Sequence, residues 1–199
     1  MIKNIITDLG GVYLNKGVRA FWLYLDEKYS SPFEQNRSVF MNYFDQCFTG
    51  KISEELFWGN IIRDLKLDGI DWKLLKQELL DGFYVQEDVV KLYRDLRTKG
   101  YKLILLSDQT KEWWKYLDNK FNINRDFDFI VISALVGFHK PDPRIYRYTL
   151  EASKAMPEES IFIDDLKAST DTAANFGMDT CLFESYKQLF AEFTQKGIL

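Results

Sequence analysis

Ile5-Ile6-Thr7-Asp8-Leu9-Gly10-Gly11-Val12 is a short apolar run that stops on an acid and turns at once through two glycines. It reads as a buried strand whose carboxyl end lets the backbone approach a ligand closely, because glycine has no Cβ and tolerates unusual backbone angles. The same residues also suit a plain turn, since Asp and Gly are common turn formers. Far downstream, Ser160-Ile161-Phe162-Ile163 closes on a second acidic site, Asp164-Asp165. Two carboxylate sites at two strand ends suggest one metal-dependent active site.

Working outward, the chain beyond residue 86 alternates helix and strand. An amphipathic helix over 87–98 with Val89, Leu92, Tyr93 and Leu96 ends at Gly100. Apolar strands are predicted at Lys102 to Leu106, Phe129 to Ile132, Ser160 to Ile163 and Thr180 to Phe183. Helices fill the gaps at Lys111 to Lys120, Pro143 to Ala155, Ser169 to Phe176 and Tyr186 to Lys196, with Asp142-Pro143 as a start signal and Gly177 as a stop. Near-continuous apolar strands separated by helices imply a Rossmann-like α/β fold, a parallel sheet covered on both faces. In such sheets ligands gather beyond the carboxyl ends of the strands. Asp8, Ser107-Asp108 and Asp164-Asp165 all fall there.

Residues 15–85 differ in character and read as an inserted helical unit of about four helices, leaving 1–14 and 86–199 as the α/β core. Val18, Phe21, Trp22, Leu25 and Tyr29 follow helical spacing, as do Phe40, Tyr43, Phe44, Cys47 and Phe48. Ser53 suits an N-cap with Glu54 and Glu55 behind it, and Asp71 another. The aromatic cluster Phe40, Tyr43, Phe44 and Phe48 reads as core of this unit rather than as a sugar-stacking surface.

Composition narrows the function. With 199 residues, 46% of them hydrophobic, the chain supports a substantial core, and no segment approaches the roughly 20 apolar residues of a membrane span. A formal charge of −4 argues against a nucleic-acid surface. Cys47 and Cys181 form no paired motif and are expected to be buried, reduced thiols, while the single histidine, His139, cannot build a multi-histidine metal site. The opening residues lead straight into a strand, which gives the expectation of a cytoplasmic protein. Whether it is a monomer or a homodimer stays open.

The stops Asp8, Ser107 and Asp164-Asp165, with Gly137-Phe138-His139-Lys140-Pro141-Asp142-Pro143 between the last two, resemble the four ordered motifs of the haloacid dehalogenase-like hydrolase superfamily. The opening Asp8-Leu9-Gly10-Gly11-Val12 and the segment Gly50-Lys51-Ile52-Ser53-Glu54-Glu55-Leu56-Phe57 are similar to its sugar-phosphate phosphatase branch, which includes α-glucose-1-phosphate phosphatases. The resemblance implies a Mg²⁺-dependent phosphatase of small phosphorylated metabolites, with 15–85 as a helical cap. Asp8 would be the nucleophile, forming an aspartyl-phosphate. Lys140 would pair with Asp8 and the phosphoryl oxygens, and Ser107 and Asp108 would meet the phosphate. Mg²⁺ would be held by Asp8, the Gly10 carbonyl, Asp164 and Asp165.

Three departures from the family pattern are visible. Gly10 stands where most phosphatases of the superfamily carry a second Asp as general acid and base, Asp108 where Asn is common, and Ser169 where Asn or Asp is common. An ionised Asp108 aimed at phosphate would repel it, so its side chain is expected to face away; Ser169 is expected to cap the following helix. A 2-haloacid dehalogenase, in which the same Asp attacks carbon, and a catalytically weak phosphate-binding or regulatory protein are the alternatives. Asn15, Lys16 and Arg19 are further candidates for substrate contact, and His139 is read as a loop residue.

Overall fold

The computed structural model describes residues 1–199. Five strands, β1 (Asn4–Thr7), β2 (Lys102–Ser107), β3 (Phe129–Ile132), β4 (Ser160–Asp164) and β5 (Asp179–Leu182), form one parallel sheet in the order β3-β2-β1-β4-β5. Ile6 of β1 lies opposite Ile104 of β2 and Phe162 of β4. Alternate strand side chains point to opposite faces. Ile5, Leu103, Leu105, Ile161 and Ile163 therefore enter one apolar cluster, and Ile6, Ile104, Leu106 and Phe162 the other.

Four helices precede β2 as an insertion: α1 (Gly17–Tyr29), α2 (Phe33–Phe48), α3 (Glu54–Asp64) and α4 (Trp72–Asp81). They are followed by α5 (Glu87–Thr98), α6 (Lys111–Phe121), α7 (Ser133–Val136), α8 (Pro143–Ser153), α9 (Lys167–Asn175) and α10 (Tyr186–Gln195). Helices α5, α6 and α10 cover one face through Tyr93, Trp113, Leu117, Leu189 and Phe193; α8 and α9 cover the other through Ile145, Tyr146 and Ala173. After β3 the chain returns to lay β4 on the far side of β1, so the strand order reverses between β1 and β4. That reversal opens the crevice in which doubly wound sheets bind ligands. None of the helices is long and apolar enough to cross a membrane.

Most starts read from the sequence are visible as hydrogen bonds. Ser53 Oγ accepts from the Leu56 N–H at 3.2 Å, an Asp71 oxygen from Lys73 at 2.9 Å, and an Asp142 oxygen from Arg144 at 2.9 Å. Helix α9 departs from expectation: it starts at Lys167, two residues before Ser169, which is buried inside it. Ser169 therefore caps nothing. Asp164 Oδ1 instead accepts the Leu166 N–H at 2.8 Å, one turn-forming bond at the helix entry. The four-residue α7 has no apolar period long enough to be read.

The insertion leaves and rejoins the sheet through a paired crossing. Leu14 bridges Val85 in antiparallel fashion, and the Asn15 side chain donates to the Gly82 carbonyl (3.1 Å) and accepts from the Tyr84 N–H (3.0 Å). Asn15 is thus a clamp on this crossing, with both ends of its amide already engaged. Phe40, Phe48, Phe57 and Trp58 of the insertion surround Trp113 of α6, with ring centroids 6.4, 5.2, 6.5 and 6.0 Å away. The aromatic cluster is core, as its spacing indicated, with two differences at its rim. Tyr43 gives its hydroxyl to Asp64 at 2.5 Å, and Phe44 meets His139 edge-on.

Because Trp113 is fully buried between the insertion and the sheet layer, Trp113→Ala is expected to cost about 3–5 kcal/mol. Urea unfolding followed by circular dichroism should show one transition at a lower midpoint. An unchanged midpoint, or separate transitions for insertion and sheet in the unaltered protein, would contradict a shared core.

Candidate active site

Asp8 follows β1 directly, its N–H donating to the Ile163 carbonyl of β4 at 2.9 Å. Its carboxylate therefore projects from the point where the strand order reverses, and Oδ1 takes the Leu9 N–H at 2.7 Å. Asp164 ends β4 beside it. Between them lies the ammonium of Lys140, 2.7 Å from Asp8 Oδ1 and 2.7 Å from Asp164 Oδ2. Lys140 comes from the loop between α7 and α8. That loop is tied down by its own backbone, the Lys140 N–H donating to Asp108 Oδ1 at 3.0 Å and the Asp142 N–H to the His139 carbonyl at 2.9 Å.

The Lys140 side chain is 3% exposed and that of Asp164 is fully buried, so each needs the other's charge; an unpaired buried ion would cost several kcal/mol. Burial by itself would lower the lysine pKa, but Asp164, Asp8 and Asp108 together hold it well above the ordinary lysine value. Burial pushes the Asp8 carboxyl up, opposed by Lys140 and reinforced by Asp164. Asp108 is likewise raised by burial, against the pull of Lys140. One ammonium does not fully offset the negative charge gathered here, which leaves a place for further positive charge.

Asp165 supplies the third carboxylate: oxygens of Asp8, Asp164 and Asp165 lie within 4.8 Å of one another. The Gly10 carbonyl, the fourth ligand implied by the sequence, accepts no backbone or side-chain hydrogen bond from the protein. With Asp108, four carboxylates face two ammonium groups, since Lys16 Nζ is 2.8 Å from Asp165 Oδ2. An all-oxygen donor set with this charge imbalance fits a hard divalent cation. Lys16, a candidate substrate contact, thus lies on a metal-ligand candidate.

The two glycines after Asp8 do different work. Gly11 sits at φ +89°, and a Cβ there would fall 2.6 Å from Asp165 Oδ2. Gly11 is what lets the Asp165 carboxylate approach the turn. At Gly10 an added Cβ meets nothing within 4 Å, leaving open space beside the nucleophile candidate. The turn itself is pinned by Gln86, whose Nε2 reaches the carbonyls of Val12 (2.7 Å), Leu14 (3.2 Å) and Gly11 (3.3 Å). Gln86 carries no motif; its position at the return crossing was the one available signal.

Ser107 ends β2, the neighbour of β1, and its hydroxyl is buried with no hydrogen-bond partner. A buried orphan hydroxyl is costly, and it fits an acceptor such as a phosphoryl oxygen. The Asp108 side chain turns to the Lys140 backbone, as the charge argument required. Two pockets flank this region. One of about 240 Å³ lies between the turn joining α2 to α3 and the start of α6, lined by Lys51, Ser53, Glu54, Thr110 and Lys111; the other, about 370 Å³, lies beside Gly11 with Lys16, Arg19 and Tyr84.

The glycine contrast is directly testable. Gly11→Ala is expected to destabilise the fold by at least about 1–2 kcal/mol and to abolish divalent-cation binding by titration calorimetry. Gly10→Ala should be close to neutral in both. Equal behaviour of the two variants would remove the steric role given to Gly11.

Comparisons with known proteins identify the family and the fold. The family profile described as haloacid dehalogenase-like hydrolase matches residues 40–183. Bifunctional epoxide hydrolase 2 of Mus musculus is 40% identical over 94 residues, covering 44% of this chain and 16% of that protein. Glyceraldehyde 3-phosphate phosphatase of Methanothermobacter thermautotrophicus is 36% identical over 95 residues, covering 46% of this chain and 41% of that protein. The matches thus span less than half of either relative. In fold, the chain is similar to a crystal structure of a Bacteroides thetaiotaomicron enzyme solved with magnesium and inorganic phosphate: TM-score 0.74 at 22% identity, covering 96% of this chain and 100% of the other. With its sheet order, its acidic strand ends and a profile match over most of its length, the chain belongs to the haloacid dehalogenase-like hydrolases.

Proposed function

We propose that this protein is a Mg²⁺-dependent phosphomonoester hydrolase acting on a small phosphorylated metabolite through an aspartyl-phosphate on Asp8. The observation that carries the reading is the buried Lys140 ammonium held between Asp8 and Asp164 at the strand-order reversal, with the orphan Ser107 hydroxyl on the neighbouring strand. The phosphatase relative and the phosphate-bound structural neighbour support it. Two free, buried cysteines suit a cytoplasmic setting.

In this reading an Asp8 oxygen attacks phosphorus, the bond from phosphorus to the leaving oxygen breaks, and the leaving oxygen takes a proton from solvent water. Water then hydrolyses the acyl phosphate and restores Asp8, two easier steps in place of one. Lys140 steadies the Asp8 carboxylate and offers its remaining N–H to a phosphoryl oxygen, while Ser107 donates to another. Mg²⁺ would be held by Asp8, Asp165, the Gly10 carbonyl and Asp164, and when bound supplies the charge that lets an anionic ester meet a carboxylate. Asp164 already serves Lys140 and the Leu166 N–H, so its share is the smallest of the set. The helices of 15–85 would act as a cap that excludes water from the reaction, their turn at Lys51 to Glu54 lining a pocket against the start of α6.

Gly10 narrows the substrate. The chain has no carboxyl there to protonate a leaving alkoxide, a function typically worth about 10²–10⁴-fold. A sugar 1-phosphate such as glucose 1-phosphate depends on it less, because its anomeric leaving oxygen is more acidic than an ordinary alcohol.

A phosphate-release screen with Mg²⁺ over sugar phosphates, nucleotides and acyl phosphates is expected to show turnover that chelation stops and Asp8→Asn abolishes. Turnover retained by Asp8→Asn would remove Asp8 from its role. The open space at Gly10 permits Gly10→Asp, which is expected to raise glucose 6-phosphate turnover more than glucose 1-phosphate turnover. An unchanged ratio of the two would sink the leaving-group explanation.

A further inference from the structure

His139, the only histidine of the chain, is more than a loop residue. Its Nδ1 lies 2.5 Å from the Lys140 carbonyl oxygen, and its Nε2 lies 2.9 Å from Asp45 Oδ1 on α2. Both ring nitrogens thus face oxygen atoms, one on the neighbouring backbone and one on α2. The ring is also flanked edge-on by Phe44 at 5.4 Å, which itself stacks on Phe48 at 4.1 Å. Asp45 is an otherwise exposed residue of the inserted helices, its side chain 73% accessible. No side-chain bond or ion pair of Asp45 other than this one is present.

We infer that His139 is a positioning residue that couples the inserted helices to the placement of Lys140. One face of the ring holds the backbone of the lysine residue whose ammonium sits between Asp8 and Asp164; the other side reaches across to α2. Lys140 is also gripped from within the α/β core, through its N–H to Asp108. With α2 engaged, the loop is held from both sides, and its ammonium keeps the 2.7 Å spacing to both carboxylates. Without the Asp45 contact, one of the two restraints on the loop is gone. The inserted helices therefore help to order the residue that steadies the nucleophile. Misplacement of a positioned group by a fraction of an ångström is enough to cost rate.

This inference rests on the phosphatase reading for its kinetic consequence but not for its structural one, and the test separates the two. Asp45→Ala lies on an exposed helix face and touches no core residue, so folding is preserved; His139→Gln, the double variant and Asp45→Glu complete the set. Hydrogen exchange of residues 137–142 is expected to quicken in Asp45→Ala, at little cost in melting temperature. In phosphate release, each single variant should lower kcat by about fivefold, the scale of one partly exposed ion pair, with a smaller effect on KM. The double variant should be no worse than either single one, and Asp45→Glu should stay near the unaltered protein. Unchanged loop exchange in Asp45→Ala overturns the coupling whether or not the protein is a phosphatase, and so do additive effects of the two single substitutions on kcat. Absence of turnover in the unaltered protein, with exchange quickened in Asp45→Ala, would instead reject the phosphatase reading and leave the coupling standing.

Discussion

A single buried ammonium organises this molecule's strand-end crevice. Lys140 is 3% exposed and has carboxylates from two adjacent strands at 2.7 Å, so its charge is compensated only if β1 and β4 stay in register and the loop after α7 keeps its path. Removing one partner of such a group leaves an uncompensated buried charge, the expensive outcome in a low-dielectric interior. The same arrangement is poised for chemistry on anions. Asp8 alone would repel an anionic ester; in the proposed phosphatase, Lys140 beside it and a cation near Asp165 would offset that repulsion.

The parts around this pair serve it at different distances. Gly11 clears the approach of Asp165, Gln86 pins three carbonyls of the turn, and Asp108 spends its carboxylate on the backbone of Lys140. Farther out, the paired crossing at Leu14 and Val85 and the aromatic packing on Trp113 fix where the inserted helices stand. His139 then reaches from the lysine loop to one of those helices. Sheet layer and inserted helices thus share an apolar core, and a few polar contacts join that scaffold to the reacting groups.

Much of this was legible in the sequence, for identifiable reasons. The sheet was readable because its strands are continuous apolar runs, and the helix starts because Ser53, Asp71 and Asp142 carry cap chemistry in the chain itself. Asp8 and the Asp164-Asp165 pair were readable as candidates because polar residues at the ends of apolar strands stand out, and Lys140 because the segment from Gly137 to Pro143 resembles the family's third motif. What stayed hidden depends on contacts between distant segments. Nothing local marks Gly11 as the glycine that Asp165 requires, or Gln86 as the residue that fastens the turn. Ser169 looked like a cap, but Asp164 takes the turn-forming N–H at the helix entry and the helix begins earlier. His139 looked idle because its partner, Asp45, lies on a helix far away in the chain.

The central claim is that Asp8, held by Lys140, carries the phosphoryl group. The most direct measurement is the stereochemical course at phosphorus, using a thiophosphate monoester made chiral there by sulfur and two oxygen isotopes and hydrolysed in water of the third isotope, so that the thiophosphate released is itself chiral. Each in-line displacement inverts the configuration, so transfer to Asp8 followed by transfer to water predicts overall retention. Net inversion would mean that water attacks the ester directly, and would contradict the account.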